Sequence, residues 1–506
     1  MKAPLPTSRS SRVLNALSPL NLVACGALGL GLMAPQAFSS PAGQPDVSVA
    51  IDGVEEQVQT SMSTVITTLV ELADRCQKDR NFLQRNVTYE LLITLEPDHK
   101  EARKTLGYKW DRKEETWTPP KRPKTPKDKD PALALEVMEA RDVVLTGHRD
   151  RVLAALAKAP DLPKDRRLAI VKSVIQLLPD DATLRAAAGQ VKHKDKWIDE
   201  STARSLTIRE QREARIKELK KEIGEPESTT STPAEDALGQ TWSGKLKTAN
   251  LRILGTCSKT ELTKIATYSQ ATVSYLNEIF KTEPIKNANL YVLLGDGSKN
   301  SFMDKWPGLE PDKRTLYKQL FAVYLDFDNL ASIAPTDDKR LDAAVRLNVY
   351  RHLNHNWNVY EKHGWVNEGF GMYLTWQITG TRLVFFVRDT EYTDPNQLEL
   401  NDLNKKLREG NVDWLKLAKK QLTGKKRVNL SFMLGRDVNQ LTPEDLLISY
   451  ALAAYILETQ EPAVVTRIMK LIGEGQPSAA VLEEELKVKL PKLPETLATW
   501  LDEIGK

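Results

Sequence analysis

Two stretches of this 506-residue chain carry the same pattern, and that duplication constrains the fold more than any other feature. Residues 92–117 read Leu95-Glu96-Pro97-Asp98, then Arg103, Gly107 and Trp117. Residues 174–197 read Leu178-Pro179-Asp180, then Arg185, Gly189 and Trp197. The prolines lie 82 positions apart and the tryptophans 80, so the copies differ by a two-residue deletion. In each copy a helical pattern runs up to the Pro-Asp pair. Proline stops that helix, and the aspartate is placed to cap a second one. The glycine then ends the second helix.

Helical hairpins of this kind resemble tetratricopeptide-like units. Two copies are fewer than the ~3 repeats that stabilise a free-standing solenoid, so a helical packing module is expected. The first unit spans 47–118 and the second 132–200. Between them, residues 119–131 hold five prolines and five basic residues, the composition of an extended, semi-rigid linker. Residues 201–225 are nearly all helix formers, with Ile208, Ile216, Leu219 and Ile223 on one seam and Glu213–Lys217 as an i,i+4 pair. They predict a solvated, charged connector helix lying on a neighbour, with alternating charges that need no partner. Residues 226–241, rich in Ser, Thr and Pro, read as a flexible linker and a domain boundary.

Apolar residues make up 41% of the chain and charged residues 28%, which excludes wholesale disorder. Lys2, Arg9 and Arg12, with no acid among the first 39 residues, account for three of the four net positive charges. The remainder is nearly neutral, so nothing electrostatic points to nucleic acid. Those basic residues precede an apolar run from Val13 to Met33 and the small residues Ala37-Phe38-Ser39. This is the layout of a secretory signal peptide over 1–39, so export to the periplasm, cell envelope or medium is expected. Two alternatives stand beside it: an uncleaved membrane anchor, and a lipobox at Leu22-Val23-Ala24-Cys25. No later stretch reaches the ~18 apolar residues of a second span. Three cysteines, Cys25, Cys76 and Cys257, exclude a disulfide scaffold, and export permits a Cys76–Cys257 pair or two buried thiols.

After Trp242 the pattern changes. Residues 251–254, 290–294, 322–327 and 330–333 read as strands, 261–280 as helix, and everything from Asp338 onward as helix. The fold class is therefore α+β and mostly helical. Three of the six histidines cluster here: His352 and His355 in Tyr350-Arg351-His352-Leu353-Asn354-His355, and His363 just before Gly364-Trp365-Val366-Asn367-Glu368-Gly369-Phe370-Gly371-Met372-Tyr373-Leu374. Together these segments resemble the gluzincin-type zinc metallopeptidases, in particular bacterial peptidase MA-like proteins, over residues 242–506. That resemblance implies a helix with H-E-x-x-H, whose histidines bind zinc and whose glutamate activates water. A following W-[LV]-N-E-G helix supplies the third ligand. Its second motif departs mainly in Gly371, which stands for alanine. Later, Thr442-Pro443-Glu444-Asp445 caps an apolar helix holding Tyr450 and Tyr455.

The first motif is degenerate. In this register Arg351 stands at the first histidine and His352 at the general base, leaving His355 and Glu368 as matching ligands. Arginine does not deprotonate and cannot ligate zinc. The expected arrangement has Arg351 in the zinc cavity, forked with Glu368, and no cofactor. In the rival arrangement His352, His355 and Glu368 hold zinc, with His363 swinging in from its loop. A third reading leaves surface histidines and no site. Tyr450 is the candidate transition-state donor. The functional expectation is an exported, non-catalytic pseudopeptidase that binds a peptide or protein partner. An active zinc hydrolase with rearranged ligands and a structural envelope scaffold are the alternatives.

Overall fold

The computed structural model describes residues 47–121, 126–285, 287–359, 362–383, 402–407, 412–424 and 428–505. The signal, anchor and lipobox readings all lie outside these residues. The chain divides into two compact units, Met1–Arg167 and Leu168–Lys506. It is mostly helical, with a modest amount of sheet. Among the described residues no helix is long and apolar enough to cross a membrane.

In the first unit, α1 (Val47–Lys78) packs against α2 (Phe82–Leu95) and α4 (Pro131–Lys158). Val65, Leu69, Leu72, Ala73 and Cys76 of α1 are buried, at the spacing of one helical face. The short α3 (Lys100–Thr105) follows the Pro-Asp turn. The hairpin β1 (Lys109–Asp111) and β2 (Thr116–Thr118) then seats Trp110 against Trp117. The second unit opens, across the boundary, with α5 (Lys164–Ile175), α6 (Ala182–Ala187) and the hairpin β3 (Gln190–His193) and β4 (Lys196–Asp199).

The duplication is real at atomic detail. Arg103 Nε donates to the Pro97 carbonyl and Arg185 Nε to the Pro179 carbonyl, each at 2.8 Å. Gly107 and Gly189 take φ of 87° and 72° just after α3 and α6, the left-handed turn that glycine permits. Three expectations need correction. The caps fall one residue later than read, on His99 and Asp181. The helix α4, assigned to the second repeat, packs on α1 instead, so the second copy spans only α5 to β4. The described end of the 119–131 linker is structural: Asp128 accepts from the N–H groups of Leu83 and Gln84, and Asp130 caps α4.

The 226–241 segment is likewise no flexible linker. After α7 (Glu200–Glu222), β5 (Glu227–Ser228) joins the sheet, and α8 (Pro233–Ala237) is held by a Thr232–Glu235 capping box. The remaining strands are β6 (Gly244–Lys247), β7 (Leu251–Gly255), β8 (Ala288–Val292), β9 (Ala322–Tyr324) and β10 (Asn329–Ser332). Their order is β5-β6-β7-β8-β10-β9, with β7, β8 and β10 parallel and the rest antiparallel. The strands alternate. Leu251, Ile253, Leu290, Val292 and Leu330 face the main core, where α9 (Lys259–Phe280) and α12 (Asp337–Trp357) pack. Leu254, Tyr291, Leu293 and Ala331 face a second core with Phe302 and Met303 of α10 (Gly295–Lys305), ahead of α11 (Pro311–Tyr317).

From α12 onward the unit is helical, as the sequence pattern indicates. The helices are α13 (Gly364–Thr379), α14 (Asp402–Leu407), α15 (Trp414–Thr423), α16 (Leu430–Leu434), α17 (Pro443–Thr459), α18 (Pro462–Gly473), α19 (Ser478–Leu486) and α20 (Leu493–Ile504). The central pair is α13 on α17. Gly369 makes their approach possible, because a Cβ there would lie 2.4 Å from the Ser449 carbonyl oxygen. The connector α7 lies on neighbouring helices, α9 and α17, as the sequence indicates, but its charges do find partners. Its Arg209 grips the buried Glu458 of α17 through two 2.8 Å bonds, and Glu458 also accepts from Tyr373 of α13.

Candidate functional site

The face of α12 turned towards Glu368 is not the face that carries the histidines. Asp342, Arg346 and Tyr350, spaced four apart, form one stripe on that helix. The Tyr350 hydroxyl donates to Glu368 Oε1 at 2.9 Å. Arg346 donates to Asp342 Oδ1 at 2.8 Å and also engages the Tyr350 hydroxyl. Thr381 completes the set by donating to Asp342 Oδ2 at 2.7 Å. Asp342, Arg346 and Glu368 are all at most 3% exposed.

Burial pushes both carboxyl groups above their usual range, and the Arg346 guanidinium opposes that shift in each. The arginine itself is raised, because its own desolvation is outweighed by Asp342, Tyr350 and Glu368 together. One cation thus serves two buried carboxylates, with Tyr350 relaying a hydrogen bond between it and Glu368. The second oxygen of Glu368 has no hydrogen-bond partner among the described residues.

The expected Arg351–Glu368 fork does not form. Arg351 lies five residues beyond Arg346, on another side of α12. Its Nε donates to the Phe327 carbonyl at 3.0 Å, and a terminal nitrogen donates to Asp328 at 3.1 Å. The guanidinium also lies over the Phe327 ring, 5.2 Å from its centre. His355 shares that side and sits against the same ring at 5.2 Å. His352 points elsewhere again. It stacks on Phe280, meets Trp357 edge-on, and bonds Thr282 Oγ1 at 3.2 Å. Burial drives its pKa down to about 3, with His355 adding a smaller push.

The rearranged ligand set therefore does not assemble, since His352, His355 and Glu368 face three directions. His363 sits at the start of α13, where its carbonyl accepts from Val366 and Asn367. Tyr450 packs edge-on between Tyr373 and Trp414, and burial raises its pKa while Arg382 and Arg209 oppose that shift. Among the described residues, no group of three or more His, Cys, Asp or Glu side chains is placed to hold a metal ion. Cys76 and Cys257 are both free and buried.

Comparison with protein-family models, with curated proteins and with solved structures finds no match. The site is therefore read from its own chemistry. Zinc does not fit the donors that face Glu368, because a guanidinium occupies the position one turn before Tyr350 and cannot coordinate. Arg346 and Tyr350 are the i,i+4 pair aimed at this glutamate, and Leu347 follows Arg346.

The sequence reading missed Arg346 and Tyr350 because it took the histidines as markers of the register. A usable signal was present: Asp342, Arg346 and Tyr350 form a polar stripe on a helix otherwise dense in Ala, Leu and Val. Gly371 carries the same information. A Cβ at Gly371 would lie 2.3 Å from the Tyr350 ring, so the residue that departs from the resembled motif is the one that makes room for Tyr350.

Proposed function

We propose that the C-terminal unit is a gluzincin-like, non-catalytic peptidase module in which arginine replaces the metal, and that it binds an extended peptide or protein segment without hydrolysing it. One observation carries the reading: Arg346 lies among Asp342, Tyr350 and Glu368, where the resemblance would put a divalent cation opposite the glutamate of the Asn-Glu-Gly helix. The exchange keeps a buried positive charge beside Glu368, so the carboxylate stays compensated. It removes two coordinating groups, and Leu347 next to Arg346 offers no general base.

A strand edge supports the binding half of the proposal. Within the described sheet β9 is the outermost strand on its side, and Leu325 N–H and the Phe321 carbonyl bond to β10. Alternation then turns the Ala322 N–H away from β10, where an added strand can pair. Phe327, 43% exposed, and His355 lie beside this edge. The N-terminal pattern adds export to the proposal.

The test combines zinc analysis of the purified chain, casein turnover and a peptide array. The proposal expects substoichiometric zinc, no turnover, and array binding that is lost in Ala322→Pro while β9–β10 pairing persists. Stoichiometric zinc with proteolysis would overturn it. Array binding unchanged by Ala322→Pro would remove the edge strand from the proposal.

A further inference from the structure

The other face of the sheet carries a feature that this reading does not use. Strand positions that alternate away from the main core are apolar at Leu254, Tyr291 and Ala331, yet one row is polar. Register aligns Arg252 of β7 with Asn289 of β8, and Asn289 with Asn329 of β10. Asparagine is a poor strand former, and two asparagines beside an arginine on a face that otherwise packs a core call for a reason. They floor a cavity of about 340 Å³, which Trp306 and Asp326 wall on one side and α8 on the other. That volume is at the small end for ligand sites.

The polar groups are ordered by one another. Asn289 Nδ2 donates to Asn329 Oδ1 at 2.9 Å, and Asn329 Nδ2 donates to both Asp326 oxygens at 2.8 and 2.9 Å. Arg252 is tied to Glu235 at 2.9 Å, and Glu235 is fixed by the Thr232 cap. The Arg252 Nε is buried with no hydrogen-bond partner among the described residues. Trp306 is half-buried, its ring set against Tyr291 and Phe302 at 5.6 and 5.3 Å.

From this cavity we propose a saccharide-binding site, taking a mono- or disaccharide. Planar amide, carboxylate and guanidinium groups held in fixed directions match adjacent hydroxyls, each of which both donates and accepts. A half-buried indole offers an apolar face for the C–H side of a sugar ring. The two carboxylates disfavour an anion. The Arg252–Glu235 pair leaves only Asp326 uncompensated, so a neutral polyol matches better than a polycation. The site lies on the opposite side of the sheet from α12, so it stands or falls independently of the Arg346 reading.

Saturation-transfer NMR on the full chain, with glucose, N-acetylglucosamine, cellobiose and chitobiose, tests it, with spermidine as the cationic comparator. The expected result is saturable transfer from at least one saccharide. Affinity should fall about tenfold or more in Asn289→Leu and in Asp326→Ala, since each leaves a ligand hydroxyl unpaired. Saccharide binding should also change tryptophan fluorescence, and Trp306→Phe, which keeps the core packed, should remove that change. Equal melting temperatures for the variants establish that they fold. No saturable signal from any of the four sugars, unchanged affinity in both polar variants, or a response to spermidine alone would each overturn the proposal.

Discussion

His352 shows what burial does to a single residue here. Locked among Phe280, Trp357 and Thr282, it stays neutral in the folded chain down to about pH 3. In the unfolded chain it protonates near 6.5. Between those values the unfolded state binds a proton that the folded state refuses, so this residue's contribution to stability is full at neutral pH and declines as pH falls. The loss between pH 8 and pH 5 is about 2 kcal/mol. Urea titrations of wild type and His352→Phe should differ in pH dependence by that amount, and parallel profiles would contradict the burial argument. Arg346 and Arg351 make a second contrast. Arg346→Met leaves Asp342 and Glu368 buried without their cation, a class of change that costs about 3–5 kcal/mol. Arg351→Met should cost less, because its partner Asp328 is 56% exposed and remains solvated. In double-mutant cycles, Arg351 and Glu368 should add to within ~0.5 kcal/mol, whereas Arg346 and Glu368 should couple.

At the level of elements, the pairing of α12 with α13 depends on one missing methyl group. Gly371→Ala should destabilise the chain, since its Cβ would meet the Tyr350 ring at 2.3 Å. An overpacking cost of about 1–3 kcal/mol is expected. The same change in a Tyr350→Ala background should cost much less, and chemical denaturation of the four variants checks it. Much at this scale was legible from sequence. The strands at β7, β8, β9 and β10, the helix α9 and the helical run from α12 were read from periodicity, which burial on one face enforces. The Thr442–Asp445 capping box before α17 was also legible. Other parts were not. The hairpins β1–β2 and β3–β4 are three or four residues per strand and too polar to alternate visibly. The Thr232–Glu235 capping box was a local signal that the linker reading passed over, but the rest of the order in residues 226–241 comes from long-range partners such as Arg252 and β6, which no local composition reveals. The site register was missed for the same reason, because which side of α12 meets α13 is decided by packing and not by histidine spacing.

At the scale of the whole molecule, the chain carries a duplicated helix-and-hairpin element and an α+β region whose buried polar centre is built on an arginine. The N-terminal pattern predicts that the exported species lacks about the first 39 residues. Intact mass of the secreted chain checks this; full-length mass in the membrane fraction would favour the anchor, and a lipid adduct at Cys25 the lipobox. The claim on which the functional reading rests is that Arg346 and Tyr350, not Arg351 and His355, occupy the positions of a metal-binding pair opposite Glu368. Thermal melting of the Arg346→His/Tyr350→His variant with and without zinc tests it most directly, with Arg351→His/His352→Glu as the comparison. The first variant should be stabilised by zinc, by about 2.7 kcal/mol at a hundredfold excess over the dissociation constant, and the second should not respond. Zinc-dependent stabilisation of the second variant alone would contradict the account.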